Sequence, residues 1–190
     1  MANDAARLTT TEFAVLGLLS FRERSGYDLA RAAARSIGYM WAPSRSQIYK
    51  VLPRLVGWGL ADVREVAQER RPDKAVYRIS GSGLQALASW VEEVDENPAG
   101  GIGVFMLKLF FGGVADPEAV GAQLEAYRGF VRRRLAAYEE MERNVPDDEP
   151  LHSRIMLQHG IARARATLEW AEYARRALAA ESAAAPQEDA

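Results

Sequence analysis

One short segment of the chain concentrates side chains that could hydrogen-bond to nucleic acid. Its polar members are Ser44, Arg45, Ser46, Gln47, Tyr49 and Lys50. Apolar residues interleave with them at the spacing i, i+3, i+4 and i+7, namely Ile48, Val51, Leu52 and Leu55. This spacing predicts a helix with one buried stripe and one face of donors. On such a face an arginine can pair bidentately with guanine, whereas lysine and tyrosine can contact phosphates or bases.

The sequence also marks where this helix begins. Ser44 and Gln47 have the spacing of a capping box, so the donors fall within the first two turns. In those turns, unpaired backbone amides and the positive end of the helix dipole also attract phosphate. The pattern is typical of a recognition helix, which enters the major groove by its N-terminal end. The alternative is the solvated face of an ordinary core helix.

A second group of cations, Arg70, Arg71 and Lys74, surrounds Pro72 and Asp73. The segment LADVREVA precedes this group, and AVYRIS follows it with the alternation of a half-buried strand. The segments predict a β-hairpin with a basic tip, which could reach the DNA backbone or a minor groove. The alternative is a charged tip that is only solvated.

Two earlier helices would have to position the recognition helix. Thr10 and Thr11 precede an apolar run, which predicts a first helix over about 10–20. Ser25 precedes a second helix over about 26–36, with Gly38 beyond it as a stop. Three helices followed by a hairpin predict a winged helix-turn-helix domain.

The charge of the chain is divided unevenly between its two halves. The total is only -2, but residues 1–80 carry 13 Lys and Arg against 8 Asp and Glu, a net charge of +5. Residues 81–190 carry 11 against 18, a net charge of -7. This asymmetry favours a basic module that meets a polyanion and an acidic module that meets protein or solvent.

The second half is predicted to be helical throughout. A fourth helix ends at Glu96, a linker covers 97–102, and a short buried helix covers about 103–112. Two long helices follow, one from Asp116 and one ending near Ala180, with apolar residues recurring every three or four positions on each. We therefore predict a mainly α fold with one small β-hairpin: a DNA-binding domain over 1–96, an antiparallel helical dimerisation domain over 103–180 and a disordered tail over 181–190.

Several functional classes are excluded or disfavoured by composition. The chain has no cysteine and only two histidines, His152 and His159. On one helix these two lie about 10 Å apart along the axis, too far to share a metal ion. The sequence shows no recognisable pair of a nucleophile and a general base. We therefore expect neither catalysis, nor a metal, nor a cofactor. No apolar run is long enough to span a membrane, and we expect a cytoplasmic protein.

Three segments resemble the winged-helix domain of PadR-type transcriptional regulators: SGYDLAR (25–31), SRSQIYKVLPRLVGWGL (44–60) and KAVYRISGSGLQAL (74–87). Two later segments, LKLFFGGVADPEAV and RATLEWAEYARRAL, resemble the C-terminal helical domain of the longer branch of that family. Arg45 stands where many relatives have histidine. The resemblance implies a repressor that forms a homodimer through its C-terminal helices. Tyr27, in the first of these segments, is a further candidate DNA contact.

Two recognition helices related by a two-fold axis would read a pseudo-palindromic operator in double-stranded DNA, with half-sites about 34 Å apart. The resemblance also implies that some members sense aromatic or hydrophobic compounds in a cavity near the dimer interface. Trp90, Phe105, Phe110 and Trp170 are candidates to line such a site, although aromatic residues at helical spacing can equally be core. A winged-helix module that binds protein and not DNA stays open as the alternative function.

Overall fold

The structure is a computed structural model that describes residues 8–38, 40–41, 43–67, 74–94 and 102–184. Within these ranges lie seven α-helices, one 3-10 turn and a three-stranded sheet. In chain order the elements are α1 (Thr10–Phe21), β1 (Arg24–Ser25), α2 (Gly26–Ser36), α3 (Arg45–Gly57), β2 (Ala61–Val66), β3 (Lys74–Ile79), α4 (Gly81–Glu92), α5 (Ile102–Phe110), the 3-10 turn Gly112–Val114, α6 (Pro117–Arg143) and α7 (Leu151–Ala184). The predicted mainly α fold with a small hairpin is confirmed.

The contacts divide the chain into two compact units, Met1–Glu93 with Gly100–Asp116 and Val94–Ala99 with Pro117–Ala190. In the first unit, α1 is the central element. Its residues Val15 and Leu16 are fully buried, because α2, α3, α4 and β3 all pack against it. The helix begins at a capping box in which the Glu12 backbone N–H donates to Thr9 Oγ1 and the Glu12 carboxylate accepts from the Thr9 backbone.

The sheet of the first unit holds the predicted hairpin and one further strand. β2 and β3 pair antiparallel, from Ala61 opposite Ile79 to Val66 opposite Lys74. β1 pairs antiparallel with β3 on its other edge, which gives the order β1-β3-β2. β1 was not predicted, because two residues are too few to show an alternation of apolar and polar side chains.

Residues 102–116 group with the first unit by their contacts, whereas the apolar pattern of the sequence places 103–112 in the helical domain. The ring of Phe111 is buried against Gly17 of α1, where an added Cβ would lie 2.5 Å from it. The buried Lys108 ammonium donates to the Glu93 carbonyl, just after α4. The apolar pattern of this segment predicts burial, but it does not say which element provides the covering surface. α4 itself ends at Glu92 and not at Glu96, and 97–101 of the predicted linker lie outside the described residues.

The second unit is a pair of long antiparallel helices. Arg128 of α6 pairs with Glu172 of α7, and Glu139 pairs with Arg165, so the two helices run in opposite directions. Their shared face buries residues of both predicted apolar series: Val120, Leu124, Tyr127, Val131, Ile161, Ala164 and Ala171. α7 continues to Ala184, four residues beyond its predicted end and into the segment predicted to be disordered; 185–190 lie outside the described residues. No described helix is both long enough and apolar enough to cross a membrane.

Candidate nucleic-acid interface

The predicted capping box at the start of α3 is present. Ser44 Oγ accepts a hydrogen bond from the Gln47 backbone N–H at 3.2 Å, and the Ser44 backbone N–H donates to Gln47 Oε1 at 2.7 Å. Ser46 Oγ lies 3.0 Å from Ser44 Oγ. Three of the candidate DNA contacts are therefore engaged in starting the helix, and the outward donors of its first two turns are Arg45, Tyr49 and Lys50.

The two faces of α3 differ as the sequence predicts. Ile48, Leu52 and Leu55 are buried, whereas Arg45 and Lys50 are exposed and the side chain of Tyr49 is 50% exposed. The first turn of α3 contains no acidic residue. The exposed face is therefore cationic, and it lies at the end of the helix whose dipole favours an anion.

An ion pair anchors the far end of α3 to the central helix. Arg54 Nη2 lies 2.8 Å from Glu12 Oε1, and the side chain of Glu12 is 1% exposed. The guanidinium of Arg54 also lies 4.8 Å from the ring centroid of Trp58. Since Glu12 in turn caps α1, this contact fixes α3 against the core of the unit.

The N-terminal turn of α2 contacts the exposed face of α3 through one tyrosine from each helix, Tyr27 of α2 and Tyr49 of α3. The Arg45 Cζ lies 5.1 Å from the ring centroid of Tyr27. The ring of Tyr49 packs on Gly26, where an added Cβ would lie 2.9 Å from Tyr49 Cε1. The Arg31 Cζ also lies 5.8 Å from the Tyr27 ring centroid. This contact is not among the sequence predictions, although the i, i+4 spacing of Tyr27 and Arg31 is the signal that could indicate it.

The predicted basic wing is described only at its base. Lys74 Nζ lies 2.7 Å from Asp28 Oδ2, and Asp28 also accepts from Ser25 Oγ at 2.7 Å. The hydrogen bond from Lys74, together with that from Ser25, lowers the pKa of Asp28 below its usual value. Lys74 thus links β3 to the start of α2, and its contact with DNA stays a prediction. Arg70 and Arg71 lie outside the described residues.

The aromatic ligand candidates of the first unit do not line a single described cleft. Trp90 stacks on Phe13 with ring centroids 4.5 Å apart, and both line a cleft of about 550 Å³ in the first unit. Phe110 lines a different cleft of about 640 Å³ in the same unit. Phe105 is buried, and Trp170 belongs to α7 of the second unit. Sequence alone does not distinguish these residues from one another, because all four occupy helical apolar positions.

The cleft at Phe110 is lined by both apolar and cationic side chains. Its apolar lining residues include Leu18 and Phe21, and four arginines also line it: Arg22, Arg24, Arg31 and Arg35. Its two acids have partners, since Glu23 pairs with Arg64 and Asp28 pairs with Lys74. Burial, and then the charge of Arg22, lower the pKa of Arg24. Of the two clefts, this one is therefore the more positively charged. His152 and His159 are both exposed on α7.

A three-helix core, a hairpin wing and a cationic α3 together define the class of winged helix-turn-helix regulators. Comparison with known families agrees with this class. Residues 15–89 match the model of the transcriptional regulator PadR-like family, and residues 104–179 match that of the virulence activator alpha C-terminal domain.

Relatives match along most of the chain. The chain is 32% identical over 180 residues to the probable transcriptional regulator Rv1176c of Mycobacterium tuberculosis, covering 87% of this chain and 95% of that protein. It is 27% identical over 172 residues to the negative transcriptional regulator PadR of Bacillus subtilis, covering 85% and 93%. Among solved structures, it is similar to that of Bacillus subtilis PadR in complex with operator DNA, with 23% identity, a TM-score of 0.47 and coverage of 90% and 99%.

The chain belongs to the PadR-like family of transcriptional regulators. It is a transcriptional regulator and not an enzyme, because the family consists of transcriptional regulators. Membership also favours a regulator over the protein-binding module that the sequence left open.

Proposed function

We propose that this chain binds a pseudo-palindromic operator in double-stranded DNA as a homodimer, with α3 of each subunit in the major groove, and represses transcription. The observation that carries the proposal is the exposed cationic face at the N-terminal end of α3. Arg45, Tyr49 and Lys50 project from it, while the opposite face anchors the helix in the core. Similarity to the negative transcriptional regulator PadR of Bacillus subtilis supports repression.

In this proposal the exposed residues of α3 have different tasks. Arg45 has the planar donor fork that matches a guanine edge, so it reads sequence. Lys50 is a compact cation suited to a phosphate, and the hydroxyl of Tyr49 can serve either partner. Lys74 and the wing residues Arg70 and Arg71 add backbone contacts that do not depend on sequence.

Selection from a random duplex library tests the proposal, followed by fluorescence anisotropy on the selected sequence at several salt concentrations. We expect one preferred sequence with two-fold symmetry and an affinity that falls steeply with salt. Arg45→Ala should relax base preference at one position of each half-site, and Lys50→Ala should weaken all sequences about equally. Arg143→Ala, an exposed arginine at the end of α6, is the matched control and should leave binding unchanged. An affinity that does not depend on sequence or salt would contradict the proposal.

Dimerisation is supported by the surface of the helical unit. Several large apolar side chains of α6 and α7 are exposed: Met141, Leu151, Ile155, Met156 and Tyr173. An apolar surface of this kind is typical of a site for protein association. A dimer formed there would carry two copies of α3, as a symmetric operator requires.

We further propose that a small aromatic compound binds beside Phe110 and weakens operator binding. The four arginines of that cleft favour an anionic compound, since they outnumber its acids and those acids already have partners. Its volume of about 640 Å³ suits a small ligand. Such a ligand would change operator affinity only by its differential affinity for the DNA-competent and released states.

A charged probe and its neutral counterpart test this site by isothermal titration calorimetry. We expect 2-naphthoate to bind, 2-naphthamide to bind at least tenfold more weakly, and Phe110→Ala to weaken 2-naphthoate. Bound 2-naphthoate should also lower operator affinity in the anisotropy assay. Equal binding of the two compounds would contradict an anion site, and unchanged operator affinity would contradict control by this cleft.

A further inference from the structure

Tyr27, the second residue of α2, has a ring that two cations from different helices approach. The Arg45 Cζ lies 5.1 Å from the ring centroid, and the Arg31 Cζ lies 5.8 Å from it. Both distances are within the ~6 Å at which a guanidinium is attracted to the face of an aromatic ring. The side chain of Arg45, exposed at the first turn of α3, is therefore held by a residue of the neighbouring helix.

We infer that Tyr27 is a positioning residue for Arg45: its ring holds the guanidinium in the orientation from which it meets a base edge. The inference rests on the proposed function, because it concerns how Arg45 reads DNA. In this inference Tyr27 affects DNA recognition through Arg45 and not only through a direct contact with DNA. Arg31 contacts the same ring.

Arg45 has most to gain from such a contact among the donors of α3. An exposed arginine has several rotatable bonds and loses much of their freedom when it pairs with a base. Bidentate pairing also requires the planar guanidinium to lie close to the plane of the base. A guanidinium already stacked on Tyr27 in the free protein loses less freedom on binding. Lys50 has a compact ammonium that accepts many orientations, so it needs no comparable support.

Contact between a ring and a cation depends on the ring face and not on the phenolic hydroxyl. Tyr27→Phe keeps the face and removes the hydroxyl, whereas Tyr27→Leu removes the face and keeps an apolar side chain. Arg45→Ala removes the group that is positioned. These three changes separate a hydroxyl that touches DNA from a ring that acts through Arg45.

A double-mutant cycle on the full-length protein tests the inference. Affinity is measured by fluorescence anisotropy for the selected operator and for the operator changed at the position that Arg45 reads. We expect Tyr27→Leu to reduce the preference between these two DNAs by about two- to fivefold, the range of an exposed cation–π contact. We expect Tyr27→Phe to keep the full preference. In the Arg45→Ala background, Tyr27→Leu should cause no further change in preference.

Nuclear magnetic resonance of the DNA-free protein gives a second readout. The Arg45 Nε–Hε signal should carry a ring-current shift that Tyr27→Phe retains and Tyr27→Leu removes. The inference is overturned if Tyr27→Leu weakens both DNAs equally, if its effect persists without Arg45, or if the ring-current shift is absent. If instead neither wild type nor Arg45→Ala prefers any sequence, the proposed function fails, and with it the inference.

Discussion

The winged-helix unit and the α6–α7 unit hold their helices together in different ways. In the first unit α1 is surrounded, with seven of its twelve residues buried, and α3 is anchored to it by the buried Glu12. In the second unit α7 buries only three of its 34 residues, and its pairing with α6 is supplemented by ion pairs such as Arg128 with Glu172. The first unit thus encloses a helix in its core, although it too exposes apolar side chains such as Phe21 and Trp58, whereas the second unit buries only a few residues of each long helix.

This difference matches the tasks proposed for the two units. Recognition of bases requires side chains that are held in fixed positions. The buried face of α3 and its contacts with α1 and α2 hold the helix in this way. Association requires apolar surface that the subunit itself leaves uncovered, and α7 exposes such side chains near its N-terminal end. A substitution should therefore have different consequences in the two units even when its chemistry is the same.

The same truncation in the two units should produce the largest contrast. Leu16 is fully buried in α1, whereas the side chain of Leu151 at the start of α7 is 68% exposed. Leu16→Ala should lower the free energy of unfolding by about 2–5 kcal/mol, because it leaves a cavity in a close-packed core. Leu151→Ala should change the unfolding free energy of the monomer, measured at a protein concentration below the dimer dissociation constant, by less than about 0.5 kcal/mol. Urea unfolding followed by circular dichroism measures both, and comparable losses would contradict the division between the units.

The anchor of α3 provides the next prediction. Arg54→Met leaves the carboxylate of Glu12 buried without its cation, and we expect a loss of about 1–3 kcal/mol of unfolding free energy. The double variant Glu12→Gln with Arg54→Met removes the unpaired charge and should regain part of this loss. Urea unfolding measures the coupling between the two positions. If the two losses simply add, Arg54 does not anchor α3 through Glu12.

The sequence predicts those parts of the fold that depend on local pattern. The capping box Ser44–Gln47, the two faces of α3, the β2–β3 hairpin and the long helices of the second unit all follow from spacing. Met141 also continued the apolar series of α6, yet it is 58% exposed. Periodicity identifies the face of a helix, but it does not show how far along that face a partner extends.

The remaining features depend on contacts between distant segments. Phe111 packs on Gly17, and Asp28 pairs with Lys74, 46 residues away. Local sequence cannot specify such partners, because each residue would be equally acceptable on a different surface. For this reason the sequence does not predict the contact of Tyr27 with Arg45, although both residues are candidates for DNA binding.

The next prediction concerns the exposed apolar side chains of α7, which are proposed to mediate association between subunits. Ile155→Glu combined with Met156→Glu places two charges on this surface, where both residues are more than half exposed. We expect the dimer dissociation constant to rise at least tenfold, or about 1.4 kcal/mol, with little loss of helical signal. Sedimentation analysis measures the dissociation constant.

Ser153→Glu is the control for that change, because it adds a charge to the same turn of α7 without removing an apolar side chain. It should alter dimerisation much less than the double variant. An unchanged dissociation constant in the double variant would place the dimer interface elsewhere.

The smallest expected effect concerns the link between β3 and α2. Asp28→Asn removes the ion pair with Lys74 and should lower the unfolding free energy at neutral pH by about 0.5–1 kcal/mol, since both side chains are partly exposed. Hydrogen bonds from Lys74 and Ser25 hold the pKa of Asp28 below its ordinary value of 3.8. The stabilisation is therefore complete above the unfolded-state pKa and is lost as the pH falls through the folded-state pKa.

Urea unfolding of wild type and Asp28→Asn at a series of pH values tests this sign. The difference between them should be constant above about pH 5 and should vanish in acid, because protonated Asp28 resembles asparagine. Glu140→Gln gives the matched comparison in the second unit, where the pKa of Glu140 is also lowered, first by Arg143. That pair lies within one exposed turn of α6 and joins no separate elements, so its removal should cost less. A larger loss for Glu140→Gln would mean that polar pairs hold the helical unit together more strongly than the winged-helix unit.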